Sequence, residues 1–243
     1  MLAPRTTEIA PSLFRISTFH PDFGIQFNQF LQLDDEPFLV HTGMRRMFDA
    51  TLAGVRAVTD PAKLRWIGFS HFEPDECGAL NDWLALAPQA QAVAGAVGAL
   101  VMLGDYADRP PRVVADGEVV ATGRRRMRYL ATPHLPHGWD AGLWFEETSR
   151  TLFCSDLLFQ PGDPAAITTD DLLPAVRAAL VEGMKGPLAH DIPYTHETDA
   201  ALRRLAALSP ATLAIMHGST YRGDGAAQLA AFADLLRETI GPR

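Results

Sequence analysis

Six residues of this chain have side chains that can bind divalent metal ions, and their spacing forms one set. They are His71, Glu73, Asp75, His137, Asp156 and His217. The interval from His137 to Asp156 is 19 residues, and that from Asp156 to His217 is 61 residues. Histidines and carboxylates gathered from separate loops indicate a two-metal site. The carboxylate share favours iron or manganese, because zinc prefers more nitrogen and sulfur ligands.

These candidate ligands lie in loops that follow predicted strands. Three predicted strands end at Phe69, Cys154 and Met216, and one of the candidates follows each of them within two residues. Loops at strand ends allow a rigid sheet to direct several side chains to one point. In the first loop, His71 and the two acids after it are spaced by two residues, so they point to the same side of an extended chain.

Short strand-like and helix-like segments alternate along the chain, without a fixed repeat or a linker. The predicted strands are Ser12–Ser17, Ile25–Leu33, Pro37–His41, Leu64–Phe69, Arg112–Val114, Glu118–Ala121, Arg128–Ala131, Gly142–Glu146, Thr151–Cys154 and Thr212–Met216. The predicted helices are Arg45–Val58, Gly78–Leu86, Thr169–Glu182, Thr198–Leu208 and Ala226–Ile240. The turn residues Asp34-Asp35-Glu36 and Asp116-Gly117 each predict a hairpin. We therefore expect one α/β domain over residues 1–243, in which two sheets pack face to face and are covered by helices.

The composition excludes several classes of protein. Hydrophobic residues make up 47% of the chain, and the formal net charge is -8. This balance fits a globular protein and argues against nucleic acid or an anionic membrane as a partner. The only cysteines are Cys77 and Cys154, and the N-terminus has no apolar signal segment, so we expect a cytoplasmic protein. No apolar run is long enough to span a bilayer.

The motifs around the candidate ligands resemble the metallo-β-lactamase superfamily, and within it the diiron branch of flavodiiron and oxygen-binding diiron proteins. Hydrolases of the superfamily usually carry His-x-His-x-Asp-His in the first loop, whereas the diiron branch carries His-x-Glu-x-Asp-His. The sequence here is His71-Phe72-Glu73-Pro74-Asp75-Glu76, so Glu73 matches the diiron version. The later intervals and the segment Phe27-Asn28-Gln29-Phe30 are also similar to this branch.

The resemblance implies an αββα sandwich of two mixed β-sheets and a non-haem site for two iron ions, with zinc or manganese as alternatives. By this likeness, the first ion is expected on His71, Glu73 and His137, the second on Asp75, Glu76 and His217, and Asp156 between them. This sequence departs from the family pattern at Glu76, which replaces the usual histidine. His41-Thr42-Gly43 lies where hydrolases of the superfamily often have an Asp-Thr-Gly turn, and we interpret it as a structural turn.

The resemblance also implies a function, namely binding or reduction of dioxygen or nitric oxide, as a sensor or as an oxidoreductase. The 243 residues leave no room for a flavodoxin-like domain. A bound flavin is therefore not expected on a domain of this chain, and an external redox partner would supply electrons. A homodimer is expected from the family.

Two other functions remain open at this stage. The first is a dinuclear hydrolase of a thioester, lactone or phosphoester, in which the metal ions activate water. The second is a binding module without enzymatic activity, whose metal site is incomplete. Residues that could line a pocket beside the metal ions are His20, His134, Trp139 and Tyr194.

Overall fold

The fold was described from a computed structural model that covers residues 2–242. The strands are β1 (Arg5–Ala10), β2 (Leu13–His20), β3 (Ile25–Gln32), β4 (Phe38–Val40), β5 (Trp66–Gly68), β6 (Gln91–Gly95), β7 (Arg112–Val114), β8 (Val119–Ala121), β9 (Arg126–Ala131), β10 (Gly142–Glu146), β11 (Thr151–Ser155), β12 (Ile167–Thr168), β13 (Thr212–Ile215) and β14 (Thr220–Arg222). The α-helices are α1 (Phe48–Arg56), α2 (Pro74–Cys77), α3 (Leu80–Leu86), α4 (Leu103–Tyr106), α5 (Leu173–Gly183), α6 (Thr198–Ala207) and α7 (Gly225–Ile240). A π-helical turn, Gly98–Met102, precedes α4.

The strands form two mixed sheets of seven strands each. The first sheet has the order β1-β2-β3-β4-β5-β6-β7, and the second has the order β12-β14-β13-β11-β10-β9-β8. In the first sheet, β1 to β4 pair antiparallel and β4 to β7 pair parallel. The second sheet combines the antiparallel strands β8 to β11 with a parallel pairing of β11 and β13. The predicted fold class, an α/β sandwich of two mixed sheets with outer helices, is confirmed.

Three apolar cores hold the layers together. The core between the sheets contains large aromatic side chains from both, and Phe38 packs edge-on against Trp144 with 4.9 Å between the ring centroids. A second core joins the first sheet to α1 and α3, and a third joins the second sheet to α5, α6 and α7. Burial of this apolar surface on both faces of each sheet fixes the strand ends, and therefore the loops that follow them.

Gly68 is required by a close contact between the two sheets. A Cβ atom added at Gly68, the last residue of β5, would lie 2.6 Å from the indole nitrogen of the buried Trp144. Such a distance is far below van der Waals contact. The absent side chain therefore allows β5 to approach the second sheet just before the first metal-binding loop.

The structure corrects two predictions about local elements. Asp116-Gly117 forms a turn, in which Glu118 N–H donates to the Ala115 carbonyl and Gly117 has a φ of +78°. The flanking strands do not form a hairpin, because β7 pairs with β6 in the first sheet and β8 pairs with β9 in the second. The prediction also omitted the strands β1, β6, β12 and β14. No described helix is long and apolar enough to cross a membrane.

Candidate metal centre

The candidate ligands converge because they follow strands whose ends meet at one edge of the sandwich. His71 comes three residues after the end of β5, and Asp156 and His217 follow β11 and β13. These two strands are parallel neighbours in the second sheet, so their C-terminal ends lie side by side. His137 enters from the loop between β9 and β10, whose strands also belong to that sheet.

The first group consists of His71, Glu73, His137 and Asp156, which offer ligand atoms within 4.8 Å of one another. The Nε2 atoms of both histidines lie 2.8 Å from the same Glu73 oxygen, Oε2. Asp156 Oδ2 lies 3.5 Å from His71 Nε2 and 3.8 Å from His137 Nε2. Two imidazole nitrogens and two carboxylate oxygens therefore surround one point.

The second group consists of Asp75, Asp156 and His217. His217 Nε2 lies 3.3 Å from Asp75 Oδ2 and 3.1 Å from Asp156 Oδ1. Asp156 thus belongs to both groups, and it turns Oδ2 to the first and Oδ1 to the second. This placement is the one required of a carboxylate that bridges two metal ions.

The donor atoms are better suited to coordinating metal ions than to hydrogen bonding with one another. Asp156 Oδ2 is buried without a hydrogen-bond partner in the structure. An unpaired carboxylate oxygen in a buried position is unfavourable unless a cation neutralises it. Together the two groups offer three imidazoles and three carboxylates, which is a donor set suited to iron or manganese.

Hydrogen bonds from outside the site hold the imidazole rings in place. His217 Nδ1 lies 2.8 Å from the backbone carbonyl of Gln26, which leaves Nε2 free to face the two aspartates. His71 Nδ1 lies 3.2 Å from Ser70 Oγ. Partners of this kind fix the ring orientation and the tautomer of a metal-binding histidine.

The carboxylates change the proton affinity of these histidines. Burial lowers the pKa of His71, but its hydrogen bond to Glu73 and the nearby acids outweigh burial and raise the pKa to about 9. Burial also lowers the pKa of His217, but the neighbouring Asp156 and Asp75 outweigh burial and raise this pKa to about 10. The hydrogen bonds from His137 and His71 hold the pKa of Glu73 far below its usual range. Without metal ions, protons therefore balance the charge of the acids.

Glu76 has a different place from the predicted one, because it belongs to neither ligand group. Its side chain is fully buried, with Oε2 at 2.5 Å from His41 Nδ1 and 2.8 Å from the Ser70 backbone nitrogen, which donates to it. Ser155 Oγ donates to the other oxygen, Oε1, which lies 3.8 Å from His71 Nδ1. Glu76 therefore lies behind His71, on the side opposite the ligand nitrogen Nε2.

A cavity of about 540 Å³ adjoins both ligand groups. Its apolar lining comes from the β2–β3 loop, the start of β3, the segment after β11, α5, the following loop and α7. It includes Phe23, Ile25, Phe27, Phe159, Val176, Leu180, Leu188, Ile192 and Phe232. The five ligands Glu73, Asp75, His137, Asp156 and His217 line the same cavity. The metal centre is therefore accessible from a largely apolar space.

The structure does not bring the four predicted pocket residues to this cavity. The ring of His20 packs edge-on against Phe23, 4.8 Å away, and lies outside the lining. His134 is exposed, and Trp139 is 55% exposed, in the loop around His137. Tyr194 packs against the core between the second sheet and its helices. Phe23, Ile25, Phe27 and residues of α5 form part of the wall instead.

Two functional residues were not identified from the sequence. Gln26 uses its backbone carbonyl to orient His217, and no sequence pattern reports such a contact. His41 was interpreted as part of a structural turn, yet it pairs with Glu76. The available signal was that His41 lies where hydrolases of the superfamily often have an aspartate and that Glu76 lies where the family usually has a histidine. These two positions could have suggested a contact between the two side chains.

Comparison with known proteins places this geometry in a family. A rubredoxin-oxygen oxidoreductase from Megalodesulfovibrio gigas is 26% identical over 205 residues, which cover 82% of this chain and 50% of that protein. A nitric oxide reductase from Moorella thermoacetica is 24% identical over 226 residues, which cover 90% of this chain and 55% of that protein. The chain thus spans about half the length of these relatives.

A solved structure shows the same fold. The rubredoxin oxygen:oxidoreductase from Desulfovibrio gigas superposes with a TM-score of 0.80 and 22% identity, over 96% of this chain and 61% of that chain. The model of the family described as "ODP family beta lactamase" matches residues 25–218, which include every ligand of both groups. The chain therefore belongs to the ODP family of proteins with the metallo-β-lactamase fold.

Proposed function

We propose that this chain is a non-haem diiron protein that reduces dioxygen, or nitric oxide in its place, with electrons from an external donor. The observation that carries the proposal is the position of Glu73. Its carboxylate lies between His71 and His137, where hydrolases of the superfamily usually have a third imidazole. An oxygen ligand at this point makes the donor set harder, which favours iron over zinc.

The residues of the site have distinct roles in this proposal. His71, Glu73 and His137 would hold one ion, Asp75 and His217 the other, and Asp156 would hold the two ions together. Two iron ions bound there would supply the electrons that a small molecule accepts. The Gln26 carbonyl keeps His217 Nε2 directed into the site. The cavity beside the ligands has a largely apolar lining, which offers few polar groups to compete with them.

Two divalent ions held by the three carboxylates Glu73, Asp75 and Asp156 would leave one net positive charge, because Glu76 is paired with His41. This charge would be the same for iron, manganese and zinc, so the choice of metal rests on the types of donor atom.

We further propose that the electrons reach the site from a separate carrier. The name of the Megalodesulfovibrio gigas relative couples rubredoxin to oxygen, and this chain covers half of that protein. A flavoprotein or a rubredoxin-like carrier fits this need. The expected homodimer is part of the same proposal, since it would allow a neighbouring copy to approach the cavity that leads to the metal centre.

The first test is the metal content of protein purified without added metal and without oxygen. We expect about two irons per chain. Protein with two ferrous ions, mixed with aerated buffer, should consume dioxygen and change its near-ultraviolet absorption, and Asp156→Ala should do neither. About two zinc ions per chain without oxygen uptake would contradict the proposal.

A second candidate function is metal-dependent hydrolysis, which the size of the cavity favours. Two ions that share Asp156 could lower the pKa of a water between them and bind a developing negative charge. The cavity suits an uncharged thioester or lactone better than a phosphoester, because none of its described lining residues is Lys or Arg. Turnover of an uncharged aryl ester or a lactone by the zinc-loaded protein, abolished in Asp156→Ala, would support this function.

A further inference from the structure

The cavity beside the metal centre is much larger than the proposed small gaseous substrates require. Its volume of about 540 Å³ lies within the range of roughly 300–1,000 Å³ that is typical of sites for small organic ligands. Dioxygen and nitric oxide contain two atoms each. A path for such molecules needs only a narrow channel, so the remaining volume calls for another explanation.

The walls of the cavity are apolar and come from elements far apart in the sequence. Phe27 and Phe159 flank His217, with ring centroids 5.2 and 5.7 Å from the imidazole centroid. Val176 and Leu180 contribute from α5, and the deeply buried Phe232 contributes from α7. The cavity therefore reaches from the metal ligands into the helical layer that covers the second sheet, and does not end at the metal centre.

The charges around the cavity restrict what can bind. None of the described lining residues is Lys or Arg. Away from the metal ligands, the charged lining residues are two acids, Glu182 and Asp191. A phosphate or sulfonate group would find no cation except the metal ions, and it would meet these acids on the way in. A strongly polar ligand would lose its hydrogen bonds to water without replacement, which is costly.

We propose that this cavity binds an uncharged, mainly hydrocarbon organic molecule, with one end next to the metal ligands. Apolar side chains at the mouth fit this occupant, since Phe23 is 56% and Leu188 is 68% exposed. Burial of such side chains under an apolar ligand is favourable by about 25 cal/mol for each Å² removed from water. The site goes beyond the proposed reduction of dioxygen and does not depend on it, because its apolar lining residues are not the candidate metal ligands.

The test uses the full chain and Nile red, an uncharged aromatic dye whose emission shifts to the blue in apolar surroundings. We expect saturable binding of one dye per chain, with and without metal ions. 1-Decanol should displace the dye at a lower concentration than decanoate. The hydrocarbon chains of the two compounds are equivalent, but only the head group of decanoate carries a charge. Displacement by decanoate alone, and only in the metal-loaded protein, would overturn the proposed class of ligand.

Two neighbouring residues of α5 provide a matched pair of variants. Ala179 lines the cavity, whereas Ala178 is exposed on the same helix and does not. Ala179→Phe should weaken dye binding about tenfold or more by filling the space, and Ala178→Phe should leave the affinity unchanged. Leu188→Glu provides a second check at an exposed position, where folding is not at risk, and should also weaken binding.

Equal affinity in all of these variants, with unchanged thermal unfolding, would show that the dye binds elsewhere and would overturn the proposal. The outcome is separate from that of the proposed function. Ala179→Phe should retain two metal ions and the uptake of dioxygen, because a two-atom molecule still reaches the ligands. A protein that reduces dioxygen but binds no dye would refute the cavity site alone, and a protein that binds the dye but never iron would refute the diiron function alone.

Discussion

Replacement of Glu76 provides the sharpest test of how the metal centre is built. Its carboxylate is fully buried and accepts hydrogen bonds from the Ser70 backbone nitrogen at 2.8 Å and from Ser155 Oγ at 2.5 Å, while His41 Nδ1 lies 2.5 Å away. Burial raises the pKa of Glu76, but His41 and the other partners outweigh it and hold the pKa below its usual value. The carboxylate therefore joins the loop after β4 to the two loops that carry His71 and Asp156.

The magnitude of the effect follows from the groups left without a partner. Glu76→Ala leaves three buried hydrogen-bond donors without an acceptor, and each unsatisfied donor costs about 1–3 kcal/mol. We therefore expect the free energy of unfolding to fall by at least about 3 kcal/mol. Breaking a buried acid–base pair gives a similar value, about 3–5 kcal/mol. For a chain of this size, such a loss lowers the midpoint of thermal unfolding by roughly 10 °C.

The control is a double exchange that restores the pair in the opposite order. His41→Asp and Glu76→His should each destabilise the protein, and the combined variant should regain about 1–3 kcal/mol relative to the sum of the single changes. Thermal unfolding of the metal-free protein measures this coupling without reference to activity. In Glu76→Ala, both metal ions should bind more weakly, because the loops of both ligand groups move.

A different result would refute the role assigned to Glu76. If Glu76→Ala removed one metal ion per chain and left the thermal unfolding of the metal-free protein unchanged, the residue would be a ligand and would not be a link between loops. If the double exchange were no more stable than the sum of the single changes, the contact between His41 and Glu76 would contribute nothing to stability.

Two further predictions concern the ligands themselves. Asp156→Ala should abolish binding of both metal ions, whereas Asp75→Ala should abolish one, which metal analysis per chain can decide; two ions retained in Asp156→Ala would contradict its bridging position. The pKa values of His71 and His217 are raised to about 9 and about 10, so both imidazoles are protonated at pH 8 in the metal-free protein. Metal uptake at pH 8 should therefore release about two protons per chain, because metal ions replace these protons. Calorimetry in buffers of different ionisation enthalpy measures this number, and metal affinity should fall as the pH decreases; uptake without proton release would show that these histidines are already neutral.

The convergence of the candidate ligands could be predicted from the sequence because they follow predicted strands. Asp156 and His217 follow the short, fully buried strands β11 and β13, which pair in parallel, so their C-terminal ends lie side by side. The hairpin at Asp116-Gly117 was wrong because a turn motif specifies the local chain reversal but not the sheet that each flanking strand joins. Val114 and Val120 both point into the core between the sheets, and this long-range packing decides the pairing.

The contacts of the Glu76 side chain could not be predicted from its position next to Asp75 in the sequence. Asp75 and Glu76 both lie in the short helix α2, where consecutive side chains point about 100° apart. In this structure Asp75 faces the second ligand group, whereas Glu76 points to His41. The partner of Glu76 is 35 residues away in the chain, and its contact depends on the parallel pairing of β4 with β5.

Glu76 and His41 are linked in the fold. His41 lies where hydrolases of the superfamily often have an aspartate, and Glu76 lies where the family usually has a histidine. In this chain the two side chains are in contact, and Glu76 belongs to neither ligand group. Under the proposed function, the side chains of Asp75, Asp156 and His217 would hold the second ion. The first group offers four side chains and the second only three, so we expect a small molecule to bind at the second ion, beside the cavity.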